Sequence, residues 1–171
     1  FSFFIASPVG AFGISPVKTL LTVDSQSSQT VTISVQNQES KDVAFSLGVL
    51  GVRQDNSGYP ELGRGFTEAE NWVFPENNTV LVKANQTAKT NFIVRVPEKI
   101  SPGSYYLGLF VEPQSVAESQ PSLSSRIISL LTVQVAGDVE EQLIIDGWNS
   151  KKTIFTNKKW DFDLSLRNNG P

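Results

Sequence analysis

From Lys18 onward the chain alternates apolar and polar residues with a period of two. In "QTVTISVQN", Val31, Ile33 and Val35 fall on one side and Thr30, Thr32, Ser34 and Gln36 on the other. That is the pattern of a half-buried antiparallel strand, because successive side chains of an extended backbone point to opposite faces. The alternation recurs in "KTLLTV" (18–23), "VAFSLGVLGV" (43–52), "TVLVKA" (79–84) and "TNFIVRV" (90–96). In the last of these, Phe92, Val94 and Val96 are predicted to point inward and Asn91, Ile93 and Arg95 outward. "SYYLGLFVEP" and "RIISLLTVQVAG" bring the set to seven strands. Turn residues bound the runs, as at Asn37 to Ser40 and Asn85 to Thr87, where short polar side chains bond to the local backbone. Helical spacing is sustained nowhere, and "TEAEN" (67–71) is the one short candidate.

Seven strands with turns about every eight to twelve residues predict an all-β fold. We assign residues 14–136 to a seven-stranded immunoglobulin-like antiparallel sandwich. After "QVAGDVEEQ", a glycine and a group of acids mark a domain boundary. "QLIIDGW" and "WDFDLSLRNNG" then read as the first strands of a second, truncated β-sandwich over residues 137–171, with too few strands to close a core.

Two stretches interrupt this rhythm. "FSFFIASPVGAFG" (1–13) is apolar and ends in small residues, with Ala11 and Gly13 at the spacing that a signal peptidase accepts. It is expected to be a signal-peptide remnant cleaved before Ile14, the alternative being an apolar first strand. "RQDNSGYPELGRGFTEAENWVFPENN" (53–78) holds no convincing long strand. It is either a functional loop or a short strand with irregular flanks. In one reading, Trp72 and Phe74 plug an open end of the core. In the other, Tyr59, Phe66 and Trp72 are ligand-binding residues that stack on a glycan.

"RVPEKISPGSYYLGLFV" (95–111) is predicted to cross from the fifth strand to the sixth. Val96-Pro97 ends one strand, since proline donates nothing to a ladder, and Pro102-Gly103 makes the turn. Tyr105, Leu107, Leu109 and Val111 then face inward, with Tyr106, Gly108 and Phe110 opposite. One tyrosine is expected to tie its hydroxyl back to the turn, as in the tyrosine corner of sandwich folds.

Composition narrows the function. Hydrophobic residues are 39% of the chain, enough for a core, while charged residues are 18%, below the roughly 25% of an average soluble domain. Ser, Thr, Asn and Gln supply the polar surface, as in many exported β proteins. A net charge of −3 excludes a nucleic-acid reader, which needs clustered cations against phosphates; Lys151-Lys152 and Lys158-Lys159 are too sparse. With no cysteine there are no disulfides and no thiolate metal sites, and with no histidine the usual general base is missing too. The carboxylate pairs Glu68 with Glu70 and Glu140 with Glu141 have no motif around them. The chain is therefore read as non-enzymatic, with no cofactor and no metal. Asp138, Glu140 and Glu141 offer carboxylate oxygens to calcium at the domain boundary, without a D-x-D-x-D-G loop around them. Asn77-Asn78-Thr79 and Asn85-Gln86-Thr87 match the short glycosylation sequon.

The order "ISPVKTLLTV", "QTVTISVQNQESKDVAFSL", an "NW" pair, "TVLVKANQTAKTNFIVRVPEKISPGSYYLGLFV" and a closing apolar strand resembles the N-terminal immunoglobulin-like domain of bacterial cell-surface proteins. The named group it resembles is the peptidoglycan-binding domain of WxL-interacting proteins, with a looser likeness to the first domain of periplasmic pilus chaperones. The likeness covers roughly residues 14–136 and matches scaffold positions only. It implies a signal-bearing, membrane-anchored surface protein with a second sandwich. The absence of any methionine, and of any run of eighteen or more apolar residues, gives the expectation of a fragment whose membrane anchor lies elsewhere.

The function expected is a cell-envelope or surface binding and scaffolding module in an extracytoplasmic location. Its partner would be cell-wall glycan or another surface protein, reached through loops or through an exposed edge such as "KTLLTV". The alternatives are a structural spacer domain of an anchored protein and a periplasmic chaperone-like domain.

Overall fold

The structure, a computed structural model, describes residues 12–55, 57–114, 126–138, 142–151 and 161–168. The strands in chain order are β1 (Phe12–Ser15), β2 (Lys18–Val23), β3 (Ser28–Asn37), β4 (Val43–Gln54) and β5 (Pro60–Gly63). A 3₁₀ turn, Glu68–Asn71, precedes β6 (Val73–Pro75), β7 (Thr79–Val82), β8 (Thr87–Arg95), β9 (Gly103–Pro113) and β10 (Ile127–Val135). β11 (Leu143–Lys151) and β12 (Asp161–Asn168) follow.

β1 to β10 form two sheets. The smaller runs β1-β3-β8-β6 and the larger β2-β10-β9-β4, with β7 and β5 side by side along the two halves of β4. Val31, Ile33, Val35, Phe92 and Val94 of the smaller sheet meet Phe45, Leu47, Leu107, Leu109, Leu131 and Val133 of the larger in one core. The alternation read along the sequence is realised: Phe92 and Val94 are fully buried, Ile93 is half-buried and Arg95 is exposed.

The seven predicted strands correspond to β2, β3, β4, β7, β8, β9 and β10. The other strands of these two sheets, β1, β5 and β6, are short, and each has a local reason for escaping a period-two pattern. β1 is part of the segment read as a leader: Phe12 packs edge-on against Phe45 with ring centroids 5.1 Å apart, and a cut before Ile14 falls inside this strand. Residues 1–11 lie outside the described part. β5 and β6 carry Pro60, Gly63 and Pro75, residues that break the pattern of a strand in a sequence.

The 53–78 stretch is therefore filled by short elements. β4 runs on to Gln54 and turns at Asp55, whose carboxylate accepts the Ser57 and Tyr59 amides at 2.8 Å each, and β5 returns along it. Thr67 and Glu70 then cap the 3₁₀ turn as a capping box. Gly51 makes room for this turn, since a Cβ there would lie 2.4 Å from Glu70 Oε1.

The outer face of the larger sheet departs from a simple polar surface. Gly48 lets the Phe110 ring lie flat across β4, for a Cβ at Gly48 would meet Phe110 Cζ at 2.4 Å. Arg126 covers the other side of that ring at 4.3 Å from its centroid. Leu62 and Ile128 close in over Gly108 in the same way.

β11 and β12 make a separate antiparallel pair. A bulge between Ile145 and Gly147 keeps Leu143, Ile145 and Trp148 on the same side as Phe162, Leu164 and Leu166. All six are exposed, and a two-stranded sheet is marginal alone.

Candidate functional site

β2 ends the larger sheet, and its neighbour β10 runs parallel to it; every other pairing among the described residues is antiparallel. The Leu130 amide donates to Val17 O and the Ala136 amide to Val23 O, both at 2.8 Å. Along a strand, backbone groups point alternately to the two sides, so Val17, Thr19, Leu21 and Val23 bond toward β10. The amides and carbonyls of Lys18, Leu20 and Thr22 face the other way, where the sheet has no further strand among the described residues. The chain reaches this position through Pro16, whose carbonyl accepts the Ser129 hydroxyl at 2.6 Å.

An open edge is an aggregation hazard that proteins usually blunt by shortness, proline or charge. β1, β5 and β7 have four residues each and β6 three, whereas β2 has six. It is the longest edge strand of the two sheets among the described residues, has no proline within it and carries a single charge, Lys18. Apolar residues are also out of place at a solvated edge: Leu20 within β2 and Val17 just before it are each 67% exposed.

From β2 the outer face continues as a groove of about 530 Å³ across the sheet, its lining including Lys18, Leu130, Tyr106, Val52, Arg53 and Pro60. Arg53 is held on the far side by Glu61 at 2.8 Å and by stacking on Phe66 at 4.0 Å. Lys18 makes no ion pair among the described residues.

The three residues singled out as glycan-stacking candidates are not brought onto one surface. Tyr59 is 71% exposed beside β5. Phe66 is half-buried beneath Arg53. Trp72 is 5% exposed, part of the core, with its ring edge-on to Tyr105 at 5.1 Å. Its placement matches the plugging reading, and stacking on a sugar through Trp72 would require the core to open. Phe74 is half-buried with Arg95 at 5.2 Å from its centroid.

Tyr105 makes the expected tie: its hydroxyl donates to Ser101 O at 2.8 Å. Burial pushes the phenol above its usual range, and the Glu68 carboxylate adds to this. Of the carboxylate pair Glu68 and Glu70, the second is occupied in capping, accepting from the Gly65, Phe66 and Thr67 amides. Glu140 and Glu141 lie outside the described residues, and with them the calcium set they would form with Asp138. Among the described residues no group of three or more acidic, His or Cys side chains could hold a metal ion, and no helix is long and apolar enough to cross a membrane.

No protein-family model matches the chain, and no curated protein matches it. Its fold has counterparts among solved structures. The chaperone–tip adhesion subunit complex CsuC–CsuE from the archaic chaperone-usher Csu pili of Acinetobacter baumannii matches with a TM-score of 0.53 at 16% identity, over 94% of this chain and 77% of that one. The class 5 fimbriae chaperone CfaA gives a TM-score of 0.54 at 11% identity, over 94% and 67%. The ASH / PapD-like domain 7 of human CEP192 gives 0.51 at 16%, over 74% and 86%. At such identities the likeness is one of fold, that of an immunoglobulin-like β-sandwich. The looser of the two resemblances read from the sequence is thus the one these folds share, and the likeness to WxL-interacting proteins rests on the sequence alone.

Proposed function

We propose that this chain is a non-enzymatic, extracytoplasmic binding module that takes up an extended segment of another surface protein as an added strand along β2. The observation that carries the reading is the edge itself: outward amides and carbonyls at Lys18, Leu20 and Thr22, with exposed Val17 and Leu20 beside them. Backbone pairing along an open edge gives such a segment affinity, and alternate side-chain positions give it specificity. The fold likeness to a fimbriae chaperone and to a chaperone–tip adhesion subunit complex of chaperone-usher pili favours a protein partner over cell-wall glycan and an envelope location over others.

Leu20→Pro is the discriminating variant. The Leu20 amide is not used toward β10, so proline there leaves the sheet intact while it removes a donor from the edge and puts a ring in the path of a new strand. Immobilised chain is offered a random-peptide display library and, separately, purified peptidoglycan sacculi. Extended peptides are expected to be enriched on the unaltered chain and lost on Leu20→Pro. Retention of sacculi that disappears with Tyr59→Ala or Phe66→Ala and ignores Leu20→Pro would replace this proposal with the glycan reading.

A further inference from the structure

Resting on that reading, we infer that the segment added at β2 carries a carboxylate beside Lys18 and an apolar residue beside Leu20. Lys18, Leu20 and Thr22 project from the outer face of the sheet, where a side chain's neighbours are those directly opposite on the flanking strands. On the β10 side these are Leu130 beside Lys18, Thr132 beside Leu20 and Gln134 beside Thr22. None of them is acidic. No Asp or Glu lines the groove that begins at Lys18, and the other cation of the groove, Arg53, is already held by Glu61. Among the described residues Lys18 is therefore the unmatched charge of this surface, and its remaining neighbour position belongs to the incoming strand.

The residue beside Leu20 is set by exposure. Leu20 is 67% exposed and flanked on the β10 side by Thr132, so an aliphatic or aromatic side chain on the new strand is what removes its apolar surface from water. Because Lys18 and Leu20 lie on one face, the two preferences fall two residues apart on the segment, in either strand direction. The partner is thus an acidic and apolar alternating stretch, a type compatible with a chain that is itself acidic overall only if the contact is local to Lys18.

The display selection is repeated on unaltered chain, on Lys18→Glu and on Leu20→Pro, and the enriched peptides are synthesised and titrated by fluorescence polarisation. Peptides from the unaltered chain should carry Asp or Glu two positions from a large apolar residue. On Lys18→Glu the preference should invert to Lys or Arg, with the original peptides bound about fivefold more weakly, a difference that shrinks in high salt. Enriched peptides without that spacing, or a selection on Lys18→Glu that keeps the carboxylate, overturns the inference while the loss of all peptides on Leu20→Pro leaves strand addition standing. If peptides persist on Leu20→Pro, or none is enriched on the unaltered chain, both the strand-addition reading and this inference fall.

Discussion

Asn37 joins the two sheets, and replacing it measures how much that joint contributes. It closes β3 in the smaller sheet and is fully buried. Its side-chain amide donates to Val82 O, at the end of β7 in the larger sheet, at 3.1 Å. It also donates to Lys41 O at 2.8 Å and Lys83 O at 3.3 Å, while its Oδ1 accepts the Glu39 amide at 2.9 Å. Two amide hydrogens shared over these carbonyls plus one accepted bond amount to three good hydrogen bonds, each of net worth about 1 kcal/mol. Asn37→Ala should therefore cost about 3 kcal/mol, a sizeable part of a typical 5–15 kcal/mol stability (roughly). Asn37→Asp adds a test of sign. A carboxylate in this position faces carbonyl oxygens in a buried site, so its folded pKa must lie above the unfolded value of about 3.9. Such a group is least costly below the unfolded value, and its penalty grows as the pH rises through the folded one. Urea unfolding followed by circular dichroism at pH 3.5 and pH 7 reads both variants. A cost below about 1 kcal/mol for Asn37→Ala, or an Asn37→Asp deficit that is the same at both pH values, would refute this account of the joint.

The remaining predictions concern two other local ties. Tyr105→Phe should lose about 1 kcal/mol with the bond to Ser101 O. Because burial raises the phenol above its ordinary 10.0, its contribution is complete below that value and fades as the pH rises through the folded one; the variant should therefore show a weaker alkaline decline in urea midpoint. Asp42 is held below its ordinary 3.8 by the Lys83 ammonium, which bonds it at 2.7 Å, and by the Ala84 amide. Its stabilisation is present above the unfolded value and lost as the pH falls through the folded one, so Asp42→Asn should flatten the acid limb of the stability profile between pH 5 and pH 2. An unchanged limb would show that the pair does not matter to folding.

Much of the sandwich was legible in the sequence because its long strands are half-buried and so alternate. β3 and β8 show why: each sets Val, Ile or Phe against Thr, Asn or Arg at every second position. The short strands were not legible. β5 and β6 span three or four residues with proline in each, too few for a period to register. The Thr67 to Glu70 capping box was a readable signal in "TEAE", the spacing that starts a helical turn. The aromatic residues of the 53–78 stretch were ambiguous in principle, because nothing in a sequence distinguishes a tryptophan that stacks on a ligand from one that closes a core. The structure puts Trp72 in the core. The groove was missed, although Tyr106 and Leu130 mark it as apolar residues at outward positions of their strands. What no pattern of side chains discloses is that β2 runs parallel to β10, since strand direction depends on how the backbone crosses from one sheet to the other.

That parallel pairing has a mechanical consequence. β2 lies near the beginning of the sandwich and β10 at its end, and their ladder extends from Lys18 with Leu130 to Val23 with Val135. When tension is applied between residue 12 and residue 136, the two strands are drawn along each other in opposite directions. Their hydrogen bonds then share the load in shear, instead of opening one after another as in a hairpin peeled from its tip. The first strand of the larger sheet thus serves as a tension clamp across the domain. A segment added along the free side of β2 would lie along the same axis but outside that load path, so tension on the domain would reach it only through β2.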